Sequence, residues 1–507
     1  MNSALNIKLE IIYLLSVLTI SNAFSQLSIS NQLQYQLGNM PDVKPANRTA
    51  LFDQLNINYY FQNIQIGGRL EFFQIANRDQ EYAAIQQKYV QYQNNNLTLK
   101  LGNFYESLGQ GVLLRTYEIP GIVYEDPGSR QQYGFYKDIE GAILKYYSHW
   151  LNVKVLYGRP LDLLQPPVRN YEIRRPYLIQ GGEINMIYFN AFSPGIIYLR
   201  SNQQQTENEF AGINIGGNFP FGLQYYFEYD QNIKENETYF EFGSSGRHGF
   251  YGSLSQSIDW LSLSCEVKDY NNFSLNFNDP PSLVREQSRT LLNRGTHAIQ
   301  PLNERGIQIE GIFNIGNLNT ITANHAYAEN KFSGNLTIFR EYYLDLNYYL
   351  TISTLTKFFI DHSEDQLVNV IDRRTVGTLL DQQLPGQWGG IIDLQFQKFR
   401  REYDSGSPFN HSVINYLIDL SFSHSPNISF GINIEAAHDP LESNTLLELD
   451  NTRYKYWIGG TVSYNYDQNN TVNLFYGKRR GGNACSGGIC YEVQPFEGFE
   501  LKLNSVL

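Results

Sequence analysis

Leu27-Ser28-Ile29-Ser30-Asn31-Gln32-Leu33-Gln34-Tyr35-Gln36-Leu37 is the stretch that decides the fold of this chain. Side chains alternate along a strand. Leu27, Ile29, Leu33, Tyr35 and Leu37 therefore share one face, and Ser28, Ser30, Gln32, Gln34 and Gln36 share the other. One face suits lipid and the other suits water. Upstream lie Lys8, the apolar run Ile11–Ile20, and then Ser21-Asn22-Ala23-Phe24-Ser25. Residues 1–25 read as an export signal, with Ala23 and Ser25 as the small residues a signal peptidase accepts and cleavage near Ser25. The apolar run is too short to span a bilayer as a helix, which takes about 20 residues. Two-faced strands in an exported chain are the signature of a transmembrane β-barrel.

The same alternation recurs along the chain. Leu261, Leu263, Cys265 and Val267 oppose Ser262, Ser264, Glu266 and Lys268. Ile307, Ile309, Phe313 and Ile315 oppose Gln308, Glu310 and Asn314. Tyr454, Tyr456, Ile458, Val462, Tyr464 and Tyr466 oppose Lys455, Thr461, Ser463 and Asn465. Aromatic residues flank aliphatic ones on the apolar face, as at the two interfaces of a membrane, and charges stay on the wet face. Cys265 then reads as a small apolar residue and not as a reactive thiol.

Composition agrees. The 507 residues carry 38 Tyr and 31 Phe against 4 Trp, which suits the aromatic girdles of a barrel. No run after residue 25 reaches the length of a membrane helix, which excludes a helical membrane protein. The net charge of −12 argues against nucleic acid, which needs a basic patch. The overall negative charge also argues for a neutral solute over an anionic one.

Turns alternate in length. Tight connections are expected at Gln62-Asn63, Asn94-Asn95-Asn96, Pro220-Phe221-Gly222, Gly316-Asn317, Pro426-Asn427 and Gln468-Asn469-Asn470. Longer polar segments fall at 38–49, 106–137, 159–181, 231–247, 270–304, 400–411, 437–452 and 478–491. Short periplasmic turns and long external loops are how outer-membrane barrels are built. The reading is all-β: residues 26–507 form one large antiparallel barrel of about 22–24 strands, at about 20 residues per strand with its connection. The stretch 363–388 resists assignment. No folded domain precedes the first strand, which disfavours a transporter with an N-terminal plug.

Two segments stand out. In the first, Gly109-Gln110-Gly111 permits a tight fold-back inside a long connection. Arg115, Glu118, Glu125, Asp126 and Arg130 would then bring both signs of charge to a lumen constriction, or else stay solvated on the rim. In the second, Lys478-Arg479-Arg480-Gly481-Gly482 leads to Cys485 and Cys490, which can close a small disulfide loop at a hairpin tip in an oxidising compartment. No further metal ligands stand nearby, so no metal is expected there. No cofactor motif occurs. The adjacent pairs Asp361-His362 and His438-Asp439 point to opposite faces of a strand and form no dyad by themselves, so an enzyme is not expected.

Gly102-Asn103-Phe104-Tyr105-Glu106 through Gly109 and Gly111 to Leu114-Arg115 and Tyr117-Glu118, together with Gly481-Gly482, Cys485, Gly487-Gly488 and Cys490, resembles an uncharacterised group of outer-membrane β-barrel proteins from Bacteroidota. The resemblance implies location and fold but no substrate. Phe499, Leu501 and Leu503, alternating after Gly498, resemble the last-strand signal that the barrel-assembly machinery reads, although Leu507 stands where an aromatic is usual. The expected partners are therefore outer-membrane lipid, that machinery through 498–507, and a small polar, sugar-like solute. The leading function is porin-like passage or binding of such a solute, with the 106–137 loop narrowing the pore. A non-conducting surface scaffold for an envelope machine stands second and a barrel hydrolase third.

Overall fold

The computed structural model describes residues 26–507 apart from 76–77, 163–170, 188–189, 205, 234–245, 284, 287, 299–301, 333–334, 404–409, 440–453 and 487–488. The export signal at 1–25 lies outside the described residues. So do the middles of four expected long connections and the Gly487-Gly488 pair.

Strands β1 (Leu27–Asn39), β2 (Thr49–Phe61), β3 (Ile64–Ile75), β4 (Tyr82–Gln93) and β5 (Leu97–Phe104) form the first part of a wall. Four short strands then leave it: β6 (Ser107–Leu108), β7 (Leu114–Arg115), β8 (Tyr117–Glu125) and β9 (Gln132–Lys137). The wall resumes with β10 (Ile139–Tyr147) and runs without interruption to β27 (Asn470–Arg479). A small hairpin, β28 (Gly482–Ser486) and β29 (Ile489–Val493), precedes the closing strand β30 (Phe496–Val506). The wall is one 24-stranded antiparallel sheet, and β30 pairs with both β27 and β1, so it closes on itself. Closure satisfies every edge, as a spanning sheet requires in lipid.

The expected alternation sets the two surfaces. Val155, Ile196, Ile360 and Leu101 point outward and are each more than half exposed. On a protein in water such a belt would be an aggregation surface; around a barrel it is the lipid contact. Cys265 lies on the outward face with Leu263. The opposite face carries Gln34, Gln36, Glu71, Asn214, Asp345, Asn415 and Glu435, all buried.

The difficult stretch 363–388 holds two wall strands, β21 (Thr354–Asp365) and β22 (Val370–Leu384). They are joined by a single turn at Gln366–Val368, where Asp365 accepts from the Leu367 backbone N–H. The alternation is broken there because the register shifts between Ser363 and Asp365 and again between Ile371 and Arg374. A bulge moves following side chains to the other face, which hides the strand from a period-two reading.

Candidate functional site

Among the described residues, three long connections fold into the lumen and meet there. The first, residues 105–138, reaches strands far apart in the ring. Gln32 of β1 donates to the Gly121 carbonyl at 2.9 Å, and Gln132 donates to Gln36 of the same strand at 2.9 Å. Arg69 of β3 pairs with Glu118. On the other side, the Gly109 N–H donates to Glu183 of β12 (Leu178–Met186) at 3.2 Å, and the Gln110 N–H donates to Glu228 of β15 (Leu223–Asn232) at 2.7 Å. Gly109 has φ +54°, and a Cβ there would lie 2.1 Å from a Glu228 carboxylate oxygen. Only glycine fits this left-handed turn against that wall.

The second segment, 272–298, crosses behind the first. Asn278 accepts from the Arg115 N–H at 2.7 Å and donates to the Val112 carbonyl at 2.7 Å. Asp279 accepts from Tyr117 at 3.0 Å and from Lys137 at 2.7 Å. Burial, and then the charge of Asp279, push the Tyr117 phenol well above its ordinary range. Farther along, Arg289 sits between Asp345 and Asp393 at 3.7 Å from each. The helical turn Thr290–Asn293 docks on β23 (Trp388–Arg401): the Leu291 N–H donates to Gln395 and Gln397 donates to the Leu291 carbonyl. His297 is buried, stacked on Phe339, with Nδ1 2.8 Å from Asp365 and Nε2 3.4 Å from Glu304. Burial alone would lower its pKa, but the two carboxylates outweigh it and raise the imidazole from 6.5 to about 9.

The third segment is the β28–β29 hairpin. Cys485 and Cys490 face each other in its register and are bonded. The hairpin turns inward: the Cys485 N–H donates to Asn293 at 3.1 Å, and Tyr491 packs on Phe135 with ring centroids 5.0 Å apart. The three segments thus touch one another and form a plug.

The plug fills the long-loop half of the lumen. Along β24 (His411–His424), the inward Val413, Asn415 and Leu417 are buried, whereas Asp419 and Ser421, nearer the short-turn end, are partly exposed. On the side from β10 to β17 (Leu261–Asn271) the filling is apolar. Leu108, Val112, Leu113 and Leu114 are fully buried among Ile143, Leu156, Leu199, Phe210 and Phe273. Each such side chain contributes about 1.5–3 kcal/mol. On the side from β25 (Ile428–His438) to β30 the plug leaves a cavity of about 550 Å³, lined by Arg294, Lys478, Arg479, Arg480 and Lys502 with one carboxylate, Glu500.

The residues singled out in the sequence have definite places. Glu118 is paired with Arg69, Glu125 with Arg130, and Arg130 also donates to Asn39 at 2.8 Å. Asp126 caps its own turn by accepting from the Gly128 and Ser129 N–H groups. The Arg115 backbone is held by Asn278. Asp361 accepts from Ser363, and Asp439 takes Arg401 and His411. The cavity cations were missed as a group. Lys478-Arg479-Arg480 was visible as a run, and Lys502 stood on the wet face of its strand, but Arg294 comes from a connection nearly two hundred residues away.

Residues 7–193 and 415–507 match the model of a family described as "Family of unknown function (DUF6029)", which is more than half of the chain. The chain belongs to this family. The matched residues include the 105–138 segment, the hairpin and the β1–β30 seam. No curated protein matches the sequence. Among solved structures, the chain is similar to an E. coli P pilus tip assembly intermediate containing PapC, PapD, PapK and PapG, with TM-score 0.50 and 10% identity, covering 95% of this chain and 61% of that one. It is also similar to the P pilus usher PapC translocation pore, with TM-score 0.46 and 10% identity, covering 95% of this chain and 99% of that one. A third is the outer membrane protein opdK from Pseudomonas aeruginosa, with TM-score 0.40 and 10% identity, covering 70% of this chain and 98% of that one. At these identities the likeness is one of fold, and the fold is that of an outer-membrane barrel.

Proposed function

We propose that this family member is an outer-membrane barrel that holds a small polar solute in its lumen and passes it when the plug is displaced. Residues 1–25 would direct export from a Bacteroidota-type cell and be removed, and the assembly machinery would read β30. The observation that carries the reading is the cavity of about 550 Å³ left between plug and wall. That size lies within the range of small-molecule sites, about 300–1,000 Å³. The charged and hydrogen-bonding side chains on its wall suit a polar solute, and it reaches Ser463, Asn473 and Lys502 toward the short-turn, periplasmic end.

The test is single-channel conductance of the folded full-length protein in a planar bilayer, with and without residues 108–130. The intact barrel is expected to be silent or to open rarely, and the deletion to conduct in steady steps. Silence in both, with each still heat-modifiable on a gel, overturns passage. A second reading, a non-conducting surface scaffold, then takes its place; it is favoured by the number of wall strands that the 105–138 segment ties together.

A further inference from the structure

We propose that the cavity beside the hairpin binds a small hydroxylated oxyanion, in chemical class a sugar acid or sugar phosphate. This deepens the solute-binding reading above and rests on it. The cavity wall carries five cations and a single carboxylate. The cations converge from three separate parts of the chain: Arg294 from the second inward segment, Lys478, Arg479 and Arg480 from the end of β27 and the residue after it, and Lys502 from β30.

Neutralising lumen carboxylates does not account for so many. Glu435 takes both Arg294 and Arg480, the latter at 2.8 Å. Glu500 takes both Arg479, at 3.1 Å, and Lys502, at 3.5 Å. Lys478 is matched by Glu497 at 3.1 Å, but one cation per carboxylate would suffice for pairing, so the second cation on Glu435 and the second on Glu500 leave positive charge facing the cavity.

The guanidinium groups are held in place before any ligand arrives. Arg479 meets Glu500 through two nitrogens and lies over Phe475 and Phe496, at 5.3 and 5.5 Å from their ring centres. Arg480 lies over Trp457 at 4.9 Å and donates to Asn415. Fixed planar forks of this kind match the oxygens of a carboxylate or phosphate. Lys478 and Lys502 are more exposed, with side chains about 41% and 35% accessible; Lys478 pairs with the exposed Glu497 at 3.1 Å, and Lys502 lies 3.5 Å from Glu500. Thr461, Ser463 and Asn473 line the same stretch of wall, Asn473 opposite Lys502 in the strand register, and suit the hydroxyls of a small sugar-like body. The overall charge of −12 averages over the whole chain and does not describe this wall.

The test is isothermal titration of the full-length, detergent-folded barrel with glucuronate, with glucose, and with inorganic phosphate as competitor. Glucuronate is expected to bind, to weaken as salt is raised, and to be displaced by phosphate, with glucose at least about tenfold weaker. Lys502→Gln is expected to weaken glucuronate about tenfold without changing glucose, and Lys502→Arg to restore it. Lys502 is partly exposed on a wall strand, so its replacement leaves the barrel folded, which heat-modifiability checks. Equal binding of glucose and glucuronate, with no effect of Lys502→Gln, overturns the oxyanion assignment and leaves solute binding standing. No binding of any of the three overturns both.

Discussion

The two sides of the plugged lumen are held by different forces. Against strands β10 to β17, the first inward segment is packed by apolar side chains with no exposure, and its backbone is pinned by Glu183 and Glu228. Against β20 (Asn335–Thr351) and the strands that follow it, apolar packing shrinks to the small cluster of Leu292 with Tyr343 and Phe359, and the second segment and the hairpin are held mostly by ion pairs, a histidine clamp and single hydrogen bonds. Burial of apolar groups is non-directional and survives small shifts, whereas buried ion pairs depend on geometry and partner charge. The apolar side should therefore act as a fixed anchor, and the charged side, which borders the cavity, as the part that can yield.

The largest expected effect breaks the anchor. Leu113→Ala removes a fully buried side chain and is expected to cost about 2–5 kcal/mol. Amide exchange should speed up over 107–116 while the wall strands keep their protection. Unchanged exchange there would show that the apolar side is not the anchor.

The histidine clamp tests the charged side. His297 is raised in the folded state from 6.5 to about 9. Its contribution is fully present below about pH 6.5 and is lost as pH rises through about 9, a change of about 3 kcal/mol. Exchange over 290–298, corrected for the intrinsic rate, should therefore lose protection between about pH 8 and pH 10. His297→Gln should abolish that step. A wild-type profile identical to the variant's would remove the clamp from the comparison.

Opening the hairpin has a smaller effect. Cys485→Ser with Cys490→Ser releases a short closed loop, worth about 2 kcal/mol in chain entropy. The expected readout is faster exchange at 482–493 with none at 107–116. If both regions respond together, the plug is one cooperative unit and the two-sided picture fails.

Smallest is Glu118→Gln, which removes the charge partner of Arg69 at the seam between plug and wall. A loss of about 1 kcal/mol is expected, because Glu118 is partly exposed and Gln keeps an acceptor for Arg69, and it should be confined to the 117–125 strand. Thermal unfolding of the whole barrel should not shift measurably.

Legibility in the sequence followed the range of the interactions. Two-faced strands such as Leu27–Leu37 report their faces locally, so barrel class, turn asymmetry and a count of about 22–24 strands, against 24 in the wall, could be read directly. The cysteine pair is close in sequence and was equally plain. The second inward segment was visible only as a long connection. Its direction is set by Asn278 on Val112, Arg289 between Asp345 and Asp393, and Leu291 on Gln395, and no local pattern encodes those distant partners. The charges at 115–130 drew notice because they cluster in sequence, yet Glu118, Glu125 and Arg130 are engaged in ion pairs, and the excess of positive charge gathers where Arg294 meets Lys502.

The seam between β1 and β30 bears on biogenesis. The ring has no closed form until the first and last wall strands meet along ten paired positions, from Ser30–Val506 to Asn39–Glu497. The hairpin that completes the plug is separated from β30 by just Gln494 and Pro495. Insertion of that hairpin and zippering of the wall are thus nearly one event. A nascent barrel would remain unsealed until then, and would acquire its closed wall and the last part of its plug in the same final step of assembly.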